Sequence, residues 1–126
     1  MKILDVGQCG FDGPRMERLW REALGAEVES VDDGEEALEA LGRGDVDVVL
    51  VNRILAADGA SGLEVIEELV SAKCDVPIML VSDLPEAQDA AVELGAARGF
   101  GKADLGDPAT LGLVARAANS NKRSER

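Results

Sequence analysis

Apolar positions along the chain switch repeatedly between a run of neighbours and a helical spacing. Residues 3–6 form a short apolar run interrupted by Asp5, a candidate first strand. From Pro14 onward Met16, Leu19, Trp20, Ala23 and Leu24 recur at helical period and make one apolar stripe. Pro14 suits a first helical turn, where a missing N–H costs nothing, and Gly25 suits the helix end. Residues 27–31 read as a second, more polar strand. Asp33 with Glu36 three positions on resembles a capping box, which predicts a helix through Ala37, Leu38 and Leu41 as far as Gly42. Residues 46–51 are almost unbroken Val and Leu apart from Asp47, the pattern of a strand covered on both faces. After a loop over 52–62, Leu63, Ile66, Leu69 and Val70 mark a third helix. Residues 77–81 make a fourth strand. Pro85 opens a helix carrying Ala87, Ala90, Ala91 and Leu94, and 99–101 is a weak fifth strand. Asp107 and Pro108 begin a last helix with Leu111, Val114, Ala115 and Ala118. This spacing predicts one domain over 1–119 and a polar, frayed tail or linker over 120–126.

Strands alternating with helices predict a doubly wound α/β sandwich around a parallel sheet. Ligands of such sheets bind beyond the C-terminal strand ends. The residues to inspect are therefore Gly7, Gln8 and Cys9 after the first strand, Asn52 after the third, Ser82 and Asp83 after the fourth, and Lys102 after the fifth.

Composition narrows the choice. The 126 residues fit one core, 46% of them hydrophobic but only 2% aromatic, so that core must be aliphatic. Lys and Arg total 13 against 25 Asp and Glu, a formal charge of -12. Such a surface repels phosphate backbones and anionic lipid, which argues against direct nucleic-acid or membrane binding. No apolar run has the length of a membrane span or a secretory leader. Cys9 and Cys74 are too far apart in sequence for a zinc or disulfide framework, and a reducing cytoplasmic setting is expected. The two are expected at opposite edges of the sheet, and so unpaired.

An ordered set of segments then carries a resemblance. Asp32-Asp33-Gly34-Glu35-Glu36-Ala37-Leu38, Gly62-Leu63-Glu64-Val65-Ile66, residues 77–82, and Leu94-Gly95-Ala96 followed by Lys102 are similar to the receiver domains of two-component response regulators. The resemblance covers residues 2 to about 118. It implies a flavodoxin-like (βα)5 fold with strand order 2-1-3-4-5, a bacterial signalling role, no enzymatic activity, and a signalling protein or output domain as partner. In that family an Asp after the third strand accepts a phosphoryl group, an acidic pair after the first holds Mg²⁺, and a Ser or Thr and a Lys contact the phosphoryl oxygens. Here Asn52 stands at the acceptor position and Gly7 and Gln8 at the acidic pair, while Ser82 and Lys102 match.

The departures have chemical consequences. A neutral amide is a poor nucleophile, and Mg²⁺ prefers anionic oxygen ligands. Loss of three carboxylates therefore predicts a degenerate receiver with weak or no Mg²⁺ binding and no cofactor, working through protein contacts. Gly99 stands where the family commonly has an aromatic switch residue, and Ala103 where it often has proline. Two rival readings compete: phosphorylation through a displaced carboxylate such as Asp5 or Asp58, and a small-ligand site in the former phosphorylation pocket or the glycine-containing first loop. Asp5, Asp12, Asp58 and Asp83 are candidate partners of Lys102. If Asp5 is not buried, it sits wet near the strand end. Thr110, Leu113 and Ala117 form a strip that predicts a homodimer through the last two helices and fifth strand. Replacing Gly7, Gln8 and Asn52 together by Asp is expected to restore more activity than Asn52→Asp alone, if the loop geometry permits.

Overall fold

The computed structural model describes residues 1–124. Five parallel strands, β1 (Lys2–Val6), β2 (Glu27–Val31), β3 (Val48–Asn52), β4 (Ile78–Val81) and β5 (Ala97–Phe100), alternate with five helices. The helices are α1 (Asp12–Leu24), α2 (Gly34–Leu41), α3 (Gly62–Ser71), α4 (Pro85–Leu94) and α5 (Pro108–Ser124). The strands lie in the order β2-β1-β3-β4-β5, as expected.

Strand alternation divides the core in two. Val49 and Val51 of β3 face α2, α3 and α4, joining Leu4, Val6, Ile66, Leu69, Leu80 and Ala91. Val48 and Leu50 face α1 and α5, joining Ile3, Met16, Trp20, Met79, Phe100, Val114 and Ala118. Trp20 is fully buried and meets Phe100 edge-to-face at 5.8 Å. Truncating an aromatic in such a position costs about 3–5 kcal/mol. The polar edge strand β2 keeps no fully buried residue, which explains its composition.

The local signals act as their chemistry requires. Asp33 accepts a hydrogen bond from the Glu36 N–H at 2.9 Å, while the Glu36 carboxylate reaches back to the Asp32 N–H at 2.8 Å. Helix α1 starts at Asp12, two residues before Pro14, because Gly13 N–H already closes a turn onto the Cys9 carbonyl. Strand β5 starts two residues earlier than its apolar content suggests. Helix α5 runs past Ala118 to Ser124, so the expected boundary at 119–120 falls inside it. Residues 125–126 of the expected tail lie outside the described residues, as do the side chains of 121–124. Cys9 and Cys74 are both free. Among the described residues no helix is long and apolar enough to cross a membrane.

The strip expected to mediate a homodimer is not a free surface. Thr110 is buried, and Leu113 and Ala117 pack half-buried against the α1/α5 core. Helical spacing alone could not separate the margin of the buried face from a second face.

Candidate functional site

The C-terminal ends of the strands bring Gly7, Asn52, Ser82 and Lys102 to one edge of the sheet. Asn52 is the last residue of β3, held in register opposite Val81. Its Nδ2 donates to the Gly7 carbonyl at 3.1 Å and to the Ile54 carbonyl at 2.9 Å. Both acceptors are backbone oxygens, so the orientation of the amide is set by its partners. A carboxylate could donate neither bond and would face two carbonyl oxygens instead. Asn52 thus ties the β1–α1 loop to the β3–α3 loop, a task only the amide can perform.

Gly7 lies beneath that strut. Its φ of +79° is in the left-handed region, and a Cβ there would come within 2.3 Å of Leu55 Cδ2. Leu55 is 1% exposed and fills the space that a side chain at position 7 would need. The Gly7 carbonyl also accepts from the Ala56 N–H at 3.0 Å. An aspartate at position 7 would therefore be strained by the left-handed backbone and would need Leu55 to move, which bears on the loop geometry that the triple restoration requires. Among the described residues, no group of three or more His, Cys, Asp or Glu side chains is placed to hold a metal ion. The residues present do not fit the Mg²⁺ that the resemblance implies.

Lys102 opens a short 3-10 turn (Lys102–Asp104) after β5. Its ammonium pairs with Asp12 Oδ2 at 2.8 Å across the edge of the sheet. The hydrogen bond from Lys102 holds the Asp12 carboxyl below its ordinary range, and contacts with Cys9 and Arg15 act in the same direction. Asp12 was one of four candidate partners; the other three are engaged elsewhere or unpaired. Asp83 Oδ1 accepts from the Ala103 N–H at 3.2 Å, joining the loop after β4 to the turn after β5, and Asp58 Oδ1 accepts from the Ala60 N–H at 3.0 Å within its own loop. Neither is the Lys102 partner, which is Asp12. Ser82 Oγ accepts from the Leu84 N–H at 3.1 Å, ahead of α4.

Asp5 does not sit wet at a strand end. It is 1% exposed, and neither carboxylate oxygen has a hydrogen-bond partner. Burial pushes its pKa up from 3.8 to about 7. The nearby Gln8 amide and Lys102 ammonium favour the charged form, and Glu17 disfavours it. The Gln8 amide lies close but outside hydrogen-bond geometry, since its Oε1 and Nε2 are themselves buried without partners.

Gln88 escaped the sequence reading. It sits on the inner face of α4, beside Ala87 and Ala91, and is 5% exposed. Its Nε2 donates to the carbonyls of Leu80 at 2.9 Å and Ser82 at 3.1 Å, while its Oε1 accepts from the Gly99 N–H at 2.9 Å. It thus bridges β4 and β5 where their register shifts between Met79 and Val81. The one available signal was a polar residue next to the helix's small apolar stripe. Gly99 is needed at this crossing, because a Cβ would come within 2.1 Å of the Leu80 carbonyl oxygen. An aromatic at that position would not fit, and Phe100 beside it turns inward onto Trp20.

Between the β3–α3 and β4–α4 loops lies a cavity of about 430 Å³, with Asn52, Arg53, Ser82, Asp83 and Lys102 in its wall. The model of the response regulator receiver domain family matches residues 12–103. The chain belongs to the response regulator receiver family. Solved receivers share its fold. The receiver domain of NtrX from Brucella abortus is 23% identical, with a TM-score of 0.75 over 92% of this chain and 96% of that one. The signal receiver domain of an HD domain-containing protein from Pseudomonas fluorescens Pf-5 is 19% identical, with a TM-score of 0.81 over 98% and 90%. In a longer NtrX chain from Brucella abortus, 22% identical with a TM-score of 0.79, this receiver matches over 98% of its own length but only 28% of that chain. No curated protein matches it. It is thus a receiver domain of the two-component response-regulator class.

Proposed function

We propose that this receiver signals without phosphorylation, as a protein-interaction module of fixed shape in the cytoplasm. The observation that carries the reading is the Asn52 amide, which donates to the Gly7 and Ile54 carbonyls over the packed Leu55 side chain. That arrangement replaces a nucleophile and a cation with hydrogen bonds and a methyl group. Phosphoryl transfer depends on a metal to neutralise the charge of the transferring group, and Lys102 with Ser82 supply little of that. Lys102 is engaged by Asp12, and Gln88 clamps β5 to β4. Both contacts favour one conformation of the surface built by α4, β5 and the following turn.

The partner is a signalling protein or an output domain. Exposed Phe11, Ile54 and Leu84, from three loops at the same edge of the sheet, offer it apolar contact. A homodimer through α4, β5 and α5 would use Val92, 42% exposed on α4, more than the half-buried Leu113. The displaced-carboxylate reading has weaker support. Asp5 is buried with a raised pKa, and Asp58 is held by its own loop. The ligand reading rests on the cavity of about 430 Å³ beside Asn52.

The test is incubation with acetyl phosphate and MgCl2 followed by intact-mass measurement. Wild type and Asn52→Asp should both remain unmodified. A stably phosphorylated wild type would overturn the proposal, and mapping of the modified residue to Asp5 or Asp58 would establish the displaced-carboxylate alternative.

A further inference from the structure

A second cavity, of about 240 Å³, lies between α1 and the turn that follows β5. Arg15 and Leu19 of α1, Lys102 of the 3-10 turn, and Leu105 and Gly106 beyond it form the wall. Leu19 and Leu105 are half-buried margins of the core that holds Trp20 and Phe100, and they give the cavity an apolar side. The rest of the wall carries two cations and no carboxylate. That runs against the composition of a chain with 25 Asp and Glu to 13 Lys and Arg. The cavities beside Asn52, Gln8 and Cys74 each have a carboxylate in the wall, from Asp83, Glu17 and Asp75.

The donors of the two cations are largely unspent. Among the described residues Lys102 makes one side-chain hydrogen bond, to Asp12 Oδ2 at 2.8 Å, although an ammonium has three donors. Arg15 makes none there: its guanidinium stands 3.6 Å from Asp12 Oδ1 and 5.6 Å from the centre of the Phe11 ring. A single carboxylate, Asp12, is thus in ion-pair contact with both cations. Spare N–H donors on each can bond a second anion without displacing the first. An inorganic anion would use only the cations and leave the leucines uncovered. An anion with an apolar body meets both halves of the wall. The cavity is smaller than the roughly 300–1,000 Å³ of sites for drug-sized molecules, which restricts that body to a short one.

We propose that this cavity binds a small free carboxylic acid as its anion, the carboxylate held by Arg15 and Lys102 and a short apolar body laid on Leu19 and Leu105. The site stands whether or not the receiver is phosphorylated. Lys102 also lines the Asn52 cavity, so the acid fixes the position of a residue that both cavities share. Asp12 works against the acid, as a like charge on the same two cations.

The experiment is a titration of the full chain with sodium hexanoate at neutral pH and constant ionic strength, followed by amide NMR. Saturable shifts centred on Arg15, Leu19, Lys102, Leu105 and Gly106 are expected. Sodium acetate has the charge without the body and 1-hexanol the body without the charge, and each should bind about tenfold more weakly than hexanoate. Lys102→Met should weaken hexanoate binding about tenfold and Arg15→Gln about threefold, with the NMR spectrum of each variant confirming the fold. Arg15 is exposed, so Arg15→Gln carries the test if Lys102→Met does not fold. Asp12→Asn should change binding in the opposite direction and tighten it about threefold, because it removes the competing carboxylate. The proposal is overturned if no saturable shift occurs, if acetate or 1-hexanol binds as well as hexanoate, if the shifts centre instead on Arg53, Ile54 and Leu84 of the Asn52 cavity, or if the folded variants at positions 15 and 102 bind unchanged.

Discussion

Two neighbourhoods on adjacent strands of the same sheet have been built in opposite ways. Around Asn52, each amide hydrogen has a carbonyl partner and Leu55 closes the remaining space. Around Asp5, a carboxylate and an amide are buried with nothing to bond. Both lie where receivers concentrate their polar chemistry. The first is a neutral amide with its hydrogen bonds satisfied, and the second is a carboxyl group buried without a hydrogen-bond partner. The absence of carboxylates at positions 7, 8 and 52 therefore does not leave this part of the sheet without acidic groups.

Four measurements test that contrast, beginning with the largest effect. Asp5 has a folded pKa of about 7 against an ordinary 3.8, so the native state binds the extra proton between those values. Its contribution to stability is then greatest below about pH 4, falls as pH rises toward 7, and is flat above. The full change is about 4 kcal/mol. Urea unfolding across this range should show Asp5→Asn gaining on wild type as pH rises, with the two nearest each other at low pH. Parallel pH curves would mean that Asp5 is solvated or paired.

The closed neighbourhood should be brittle where the open one is not. Gly7→Ala forces a Cβ onto Leu55 from a left-handed backbone and should cost about 3 kcal/mol in urea unfolding. Gly7→Ala combined with Leu55→Ala would recover the steric part and leave the backbone part. A neutral Gly7→Ala would show that the packing over Gly7 is loose.

Asn52→Asp removes two donors and should destabilise by about 2 kcal/mol at neutral pH. Asn52→Ala, which adds no charge against the carbonyls, should cost less. The reverse order would mean that a carboxylate is accommodated there, with a cation or a moved loop.

The smallest effect belongs to the ion pair that spans the edge. A double-mutant cycle of Asp12→Asn and Lys102→Met should give a coupling of about 1 kcal/mol, because both side chains are partly exposed. Since the Asp12 carboxyl is held below its ordinary range, that coupling is complete above it and lost as pH falls through its folded value. A coupling near zero at pH 7 would leave Lys102 free to serve the Asn52 cavity.

Much of this molecule is legible in one dimension because its determinants are local. The alternation of apolar runs with helical stripes, Asp33 and Glu36 at a helix start, and Pro85 and Pro108 opening helices are short-range facts. They specify the elements before anything packs, and the ordered motifs through Lys102 then specify the family and the strand order. The sequence also shows, without coordinates, that positions 7, 8 and 52 hold Gly, Gln and Asn and no carboxylate.

What took its place depended on contacts between residues far apart in the chain. Asn52 reaches Gly7 across 45 positions, and Lys102 reaches Asp12 across 90. Leu55 fills the space over Gly7 because a loop of otherwise ordinary composition folds back onto β1. Asp5 could be read as wet or buried until α1 was laid over its strand. Gln88 gains its role only where β4 and β5 present it with four backbone groups. Propensity and periodicity act within a few residues, whereas burial and the pairing of polar groups are decided by whichever elements the fold brings together. The sequence by itself therefore determined the receiver fold and the absence of carboxylates at positions 7, 8 and 52, and only the tertiary structure decided which polar groups are satisfied and which are left open.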